Sequence, residues 1–340
     1  MTHGLETMKW MNSREGQKEM KKQKQIKKVF ITGGAGYIGT TLTEQLLENG
    51  YEVTIYDRLM YDGSVLLPFY KYNKFKFIDG DVMDKEHLTE SMKGFDCVIH
   101  LAAIVGYFAC EKNKELSKTV NVIGTQNVID AMTDEQYLLF GSTGSNYGKV
   151  EGICTEESKL NPSSLYGVTK TEAEEIVMTR KNSTAYRFAT AFGVSHRLRL
   201  DLLTNDLTYK ALTDKYLVIY QPSFMRTFIH VRDIARSFLF AIENKDKMIG
   251  EVYNVGSNKL NYSKRDVCEM IRERTDCYIN YNDFDYDKDN RDYEVSYDKL
   301  HELGFDVTIS LEEGLDELVN VFKVMNFEDK RYKNTAFPKI

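Results

Sequence analysis

Tyr166 and Lys170 stand four residues apart in Tyr-Gly-Val-Thr-Lys, one helical turn, which sets a phenol and an ammonium on one face. A nearby cation favours phenolate over phenol and lowers a pKa that starts near ~10, so such a pair can take a proton from a hydroxyl at neutral pH. Far upstream, the apolar run Val29-Phe30-Ile31-Thr32 enters Gly33-Gly34-Ala35-Gly36-Tyr37-Ile38-Gly39, a Gly-x-x-Gly-x-x-Gly turn ahead of a helical stretch. Glycine at these places permits a tight turn, close approach of backbone to a pyrophosphate and close helix-on-strand packing, and the helix N-terminus offers free N–H groups. Asp57 ends the next β-branched run, eighteen residues after Gly39. A carboxylate there accepts hydrogen bonds from both adenosine ribose hydroxyls and repels a 2′-phosphate, so the pattern calls for NAD over NADP. Arg58 follows at once and could offer a phosphate partner.

Two further strand ends belong to the same chemistry. Gly80-Asp81-Val82 puts a carboxylate where an adenine amino group would lie, and His100-Leu101-Ala102-Ala103 supplies small residues against which a cofactor could rest. Residues at the carboxyl ends of parallel strands face the ligand crevice. The two alanines would serve core packing equally well.

Positioning these groups requires alternating strands and helices. The periodicity predicts strands at Lys28–Thr32, Glu52–Asp57, Phe75–Asp79, Cys97–His100, Tyr137–Gly141 and Thr184–Phe188, with helices at Tyr37–Asn49, Lys85–Met92, Lys112–Met132 and Ser164–Arg180. That is an α/β chain with a doubly wound parallel Rossmann sheet. After Phe188 the rhythm changes. A basic loop at Val194–Leu200 precedes a helix near Leu202–Thr213, strands at Leu217–Tyr220 and Thr227–His230, and helices at Val231–Glu243, Ser263–Arg274 and Leu311–Met325, expected as a smaller C-terminal α/β lobe.

Composition excludes several other classes. The 340 residues are 42% hydrophobic and 28% charged, with 22 Gly and 4 Pro, too apolar for disorder and too long for a disulfide-stapled mini-protein. Residues 1–28 carry eight Lys/Arg and three Asp/Glu, a basic leader, which leaves an acidic remainder unsuited to nucleic acid. No apolar stretch resembles a signal peptide or a membrane span. Five cysteines (97, 110, 154, 268, 277) form no CxxC pair, and the six histidines lack ligand spacing, so the expectation is a cytoplasmic protein with no metal. His100 and His230 read as structural.

With TGGAGYIG, GDV, HLAA, NVIGT, STGSNYG, YGVTK, RFATAFG, RTFIHVRD and NRDYEVSYDKLHELGF in place, the chain resembles the extended short-chain dehydrogenase/reductase family, in its sugar-nucleotide epimerase/dehydratase branch, from about Lys28 to about Lys323. The resemblance implies that Thr143 hydrogen-bonds the sugar hydroxyl being oxidised, that Tyr166 removes its proton and that Lys170 holds the nicotinamide ribose. It implies a supporting role behind the site for Asn121, although a buried helix Asn could equally be structural. Arg226 and Arg291 match arginines that contact a nucleotide diphosphate. Arg197 and Arg199, in SHRLRLD, offer further fixed positive charge for that diphosphate, unless they are solvated loop residues. Ser145, Asn146, Thr190 and Asn205 complete the expected substrate-binding set.

Departures from the branch narrow the chemistry. Dehydratases carry Asp-Glu after the catalytic Thr, where this chain has Gly144 and Ser145, and many UDP-galactose-type epimerases carry Asn and Lys where it has Thr190 and Val105. In the substrate lobe the likeness is strongest to a subgroup that includes a GDP-heptose 4-dehydrogenase of capsule biosynthesis. The favoured expectation is therefore NAD-dependent oxidation at C4 of a nucleoside-diphosphate sugar, with a 4-epimerase that returns the hydride as the alternative. The implied division is a leader (1–27), a dinucleotide-binding domain (28–190, with later segments returning to it), a lobe mainly for the sugar nucleotide (191–325) and a tail (326–340). The resemblance also implies a homodimer through the helices near Ser164–Arg180 and Lys112–Met132, with Ile176 and Val177 fitting either a subunit seam or the subunit's own core.

Overall fold

A computed structural model describes residues 25–283, 292–325, 327 and 330–334. Most of the basic leader, most of the tail, and Arg291 lie outside the described residues. In chain order the strands are β1 (Lys28–Thr32), β2 (Glu52–Asp57), β3 (Phe75–Asp79), β4 (Cys97–His100), β5 (Tyr137–Thr143), β6 (Lys149–Cys154), β7 (Ser183–Phe188), β8 (Thr190–Phe192), β9 (Tyr216–Tyr220), β10 (Met225–His230), β11 (Val252–Val255), β12 (Asn261–Ser263), β13 (Tyr278–Asn282) and β14 (Asp292–Val295). The longer helices are α1 (Tyr37–Glu48), α2 (Lys85–Ser91), α3 (Tyr107–Lys112), α4 (Lys114–Lys118), α5 (Gly124–Ala131), α6 (Leu165–Met178), α7 (Leu203–Thr213), α8 (Val231–Glu243), α9 (Lys264–Thr275) and α10 (Leu311–Val324).

Seven strands form one parallel sheet in the order β11-β7-β5-β4-β1-β2-β3. Strands covered on both faces must be apolar along their whole length, and β1 shows it. Val29 and Ile31 face a core shared with Leu42 and Leu46 of α1 and Phe238 of α8, while Phe30 faces the opposite core with Leu88 of α2, Val128 of α5 and Ala173 of α6. The chain reverses direction of strand addition between β1 and β4, and ligand crevices open there, outside the carboxyl ends. Six of the seven strands are those the periodicity predicts. The seventh, β11, comes from far along the chain to complete the edge beside β7.

A second core joins Leu207 and Ala211 of α7, Val267 and Ile271 of α9, Leu315 and Leu318 of α10, and Phe228 of β10. Small sheets flank it: β12-β10-β8, β13-β9 and β14-β6. Of these, β9 and β10 are the strands expected at Leu217–Tyr220 and Thr227–His230, while β6, β8, β12, β13 and β14 escaped the sequence reading because each is three to six residues long and lacks a clean alternation.

The helix expected over Lys112–Met132 is found as one helical run from Lys114 to Ala131, made of α4, a π turn and α5. Asn113 leaves helical geometry at φ −142°, and its side chain accepts from the Leu116 amide to start α4. A π turn at Thr119–Ile123 then precedes α5. Val177 is buried in the subunit's own core, which removes it from any subunit seam, and Ile176 is half-buried. All five cysteines are buried and unpaired. Among the described residues, no helix is long and apolar enough to cross a membrane.

Candidate active site

One cavity of about 460 Å³ runs along the carboxyl ends of the central strands and into the second lobe. At one end it is lined by Gly33, Gly36, Tyr37, Ile38, Gly39, Asp57, Arg58, Asp81 and Val82, in the middle by Leu101, Ala102 and Ala103, and at the other by Thr143, Ser145, Tyr166, Lys170 and Thr190. Arg197, Arg199 and Arg226 line it from the second lobe.

The Gly-rich turn is shaped by sterics. Gly33 has φ +72°, and a Cβ there would lie 2.5 Å from the Ala102 amide nitrogen, while a Cβ on Gly39 would lie 2.6 Å from Gly34. Both positions exclude any larger residue. Helix α1 begins at Gly36 without a side-chain cap, so its first amides keep their donors for a ligand anion. The Asp57 carboxylate accepts from the Ala35 amide at 3.1 Å and the Leu59 amide at 2.8 Å, which anchors it at the turn. Arg58 is committed to Asp81 at 2.7 Å, so the cation that could have welcomed a 2′-phosphate is already partnered. This cradle fits a dinucleotide with a free ribose.

At the other end, α6 carries Tyr166 half-buried and Lys170 fully buried. The Lys170 ammonium lies 3.8 Å from the Phe140 ring centroid. Burial pulls it down to about 7, against the Glu174 carboxylate one turn on, which holds it up. Thr143, last residue of β5, accepts from the Ser145 amide at 3.2 Å and donates to the Ser145 hydroxyl at 3.2 Å. Below it lies His100, which pairs with Thr32 at 2.7 Å and Thr125 at 2.9 Å; burial and then Lys170 push it down to about 3, so it is a neutral structural residue.

The turn bearing Thr143 is fixed from behind by a buried network. Arg187 of β7 grips Glu174 through Nε and Nη2, at 3.0 and 2.6 Å to the same oxygen. The other Glu174 oxygen accepts from Ser142 at 2.5 Å and Asn146 at 3.2 Å. Arg187 also donates to Tyr147, whose hydroxyl donates to Asn254 of β11 at 2.7 Å.

Several sequence expectations are corrected by this geometry. Asn146 does not line the cavity; its amide goes to Ser142 and Glu174. Asn205 is also behind the wall, spent on Gly193 and the Arg199 carbonyl. Asn121 needs no such correction: it stands behind the cavity wall, where a supporting or structural Asn was expected, holds both backbone groups of Ile104 and donates to Thr169, and so ties the loop after β4 to α6. Arg291 falls outside the described residues. Conversely, Tyr61, Asp201, Lys264, Tyr293 and Asn334 line the cavity without a sequence signal that singled them out. Only Asp201 had one available, its spacing from Arg199, to which it is joined by two hydrogen bonds of 3.2 and 2.6 Å.

The arrangement can hold a dinucleotide along the strand ends and deprotonate a hydroxyl at Tyr166. The comparisons decide the family. Residues 29–256 match the NAD dependent epimerase/dehydratase family. The chain belongs to that family. It is 28% identical to the low-salt glycan biosynthesis protein Agl12 of Haloferax volcanii, over 86% of this chain and 98% of the relative. It is 29% identical to a UDP-glucose 4-epimerase of Corynebacterium glutamicum, over 73% of this chain and 80% of the relative. Its fold superimposes on the Bacillus cereus UDP-glucuronic acid 4-epimerase solved with UDP-glucuronic acid and NAD, at TM-score 0.78 and 27% identity, covering 87% of this chain and 99% of that one. As a member of this family it is an NAD-dependent enzyme.

Two outcomes follow from the buried charges. Glu174→Ala leaves the Arg187 guanidinium buried without its carboxylate and should cost about 3–5 kcal/mol in chemical denaturation, with Glu174→Gln losing less. Lys170→Met should raise the melting temperature of the nucleotide-free protein by a few degrees at pH 6. Its ammonium is held at about 7 when folded against 10.5 when exposed. The penalty is therefore full below pH 7 and fades as pH climbs from 7 towards 10.5, so the gain should shrink markedly at pH 9.

Proposed function

We propose that this enzyme oxidises C4 of a nucleoside-diphosphate sugar and re-reduces the 4-keto sugar on its opposite face, a sugar-nucleotide 4-epimerase. The observation that carries the reading is the meeting of Thr143, Tyr166 and Lys170 in the same cavity as the Gly-rich turn and Asp57. Gly33, Gly36, Asp57 and Lys170 would hold NAD, which supplies the hydride acceptor. The Tyr166 phenolate takes the proton from the C4 hydroxyl, and the Thr143 hydroxyl orients that oxygen. Lys170 stabilises the phenolate, and so does Arg199, which interacts electrostatically with Tyr166. Arg226, buried in β10, and Lys264, buried at the start of α9, fit the substrate diphosphate.

Water loss is disfavoured because Gly144 and Ser145 supply no acid where dehydratases carry one, and a Cβ on Gly144 would already press on the Phe188 carbonyl oxygen at 3.3 Å. Return of the hydride requires a cofactor that stays bound. Tyr61, Arg197 and Asn334 supply cover from three separate segments, with Tyr61 donating to the Asn334 carbonyl at 3.4 Å. The similarity to 4-epimerases supports the same outcome.

A second reading, a GDP-heptose-like 4-dehydrogenase that releases NADH, is supported by Val105 and Thr190, which line the cavity where many epimerases carry Lys and Asn. A role in surface glycan assembly, a cytoplasmic location consistent with five buried free thiols, and a homodimer testable by light scattering belong to the same proposal.

The test is incubation of the enzyme with NAD and GDP-, UDP-, CDP- and dTDP-sugars, followed by mass spectrometry and chromatography. An unchanged mass with a new peak is expected. A product lighter by two hydrogens, with NADH accumulating, would establish the dehydrogenase instead. Tyr166→Phe should lower turnover at least a thousandfold while NAD affinity changes little, and an active variant would overturn the mechanism.

A further inference from the structure

Arg197 and Arg199 come from one loop, two residues apart, yet they differ in their surroundings. Arg199 is paired with Asp201 and faces the Tyr166 end. Arg197 is 3% exposed, and its Nε and Nη2 have no hydrogen-bond partner among the described residues. A buried guanidinium with two unfilled donors is costly unless a ligand fills them. Its side chain lines the cavity, with the guanidinium carbon 4.1 Å from the Tyr61 ring centroid.

The loop's attachments decide which ligand. The Tyr37 hydroxyl donates to the Gly193 carbonyl at 2.8 Å, the Ser195 hydroxyl donates to the Tyr37 carbonyl at 2.7 Å, and Ser195 also meets Thr40 at 3.0 Å. His196 reaches Glu44 at 3.2 Å. All of these partners lie on α1, the helix that opens the Gly-rich turn. The loop therefore places Arg197 over the cofactor end, where its charge is felt by Arg199, Tyr61 and Asp201 and also by the Asp57 carboxylate.

We infer that Arg197 binds the pyrophosphate of the dinucleotide, sealing it from the side opposite the Gly-rich turn, and does not bind the diphosphate of the sugar nucleotide. An arginine fork matches two phosphate oxygens, and the amides of α1 would take the others. This assignment is independent of which sugar carbon reacts. Burial leaves Arg197 reduced to about 10, as a cation awaiting its anion would be.

Calorimetric titration of the nucleotide-free full chain tests it, with ADP-ribose, adenosine, and whichever of GDP, UDP, CDP or dTDP the wild type binds. Arg197→Met should weaken ADP-ribose at least tenfold and leave adenosine and the nucleoside diphosphate within about twofold. Arg197→Lys should recover part of the loss. The apo melting temperature of Arg197→Met should hold or rise, because an unpaired buried cation has been removed. Unchanged ADP-ribose affinity, an equal loss for adenosine, or a loss confined to the nucleoside diphosphate would each overturn the assignment.

Discussion

The proposed chemistry of this enzyme depends on one buried ion pair that does not line the cavity. Glu174 lies one helical turn beyond Lys170 on α6, and Arg187 reaches it from β7. Through Ser142 and Asn146 the same carboxylate takes hold of the turn that presents Thr143, and through Tyr147 the same guanidinium reaches β11. A hydroxyl at the end of a strand and a phenol on the next helix must keep their spacing within fractions of an ångström for proton transfer. Packing of Leu and Val residues could bring α6 onto the sheet, but it would leave sliding freedom. Fork geometry between a guanidinium and a carboxylate removes that freedom because both charges are buried and neither can relax into water.

At the opposite end, excluded volume plays the corresponding part. Gly33 and Gly39 are places where a methyl group would collide with backbone, so the turn, α1 and the loop after β4 close on each other as a unit. The Asp57 carboxylate is then fixed by two amides of its surroundings. Between the two ends stretches a floor of small residues, and Asn121 keeps that floor in place by grasping Ile104. Asn121 sits within the π turn, and from there it reaches both Ile104 and Thr169.

Much of this was legible in the chain. β1, the Gly-rich turn, Asp57 and the Tyr166–Lys170 spacing are local patterns whose meaning is steric or electrostatic, and they lie where the periodicity predicts. What the sequence hid is non-local. Asn146, Asn205 and Asn121 turn their side chains to the protein interior, because a buried amide is drawn to the polar groups the fold leaves unpaired: backbone for Asn121 and Asn205, the Ser142 hydroxyl and Glu174 carboxylate for Asn146. The helix expected over Lys112–Met132 runs from Lys114 to Ala131 and opens on a local signal, the Asn113 cap, whereas the π turn inside it left no mark in the spacing. Lys264 and Tyr293 reach the cavity from segments over a hundred residues beyond β5, a closure that no local spacing announces.

The loop from Gly193 to Asp201 shows why dividing such a chain into cofactor and substrate halves is only partly physical. By sequence it belongs to the second lobe, and its arginines look like a single cluster of positive charge. Its hydrogen bonds, however, run to Tyr37 and Thr40 on the first helix of the dinucleotide fold, and Leu200 donates to the Tyr332 carbonyl from near the end of the chain. The loop is fastened to α1 on one side and, through Asn205 of α7 and the burial of Leu198 and Leu200 in the second core, to the second lobe on the other. The second lobe is therefore registered against the cofactor half through this segment, and Arg199, paired with Asp201 near Tyr166, is held at a fixed place by contacts made at the cofactor end. On the proposed chemistry, Thr190 and Lys264 line the part of the cavity where the sugar nucleotide would lie, so specificity can vary there without disturbing the loop that joins the cofactor cradle to Arg199.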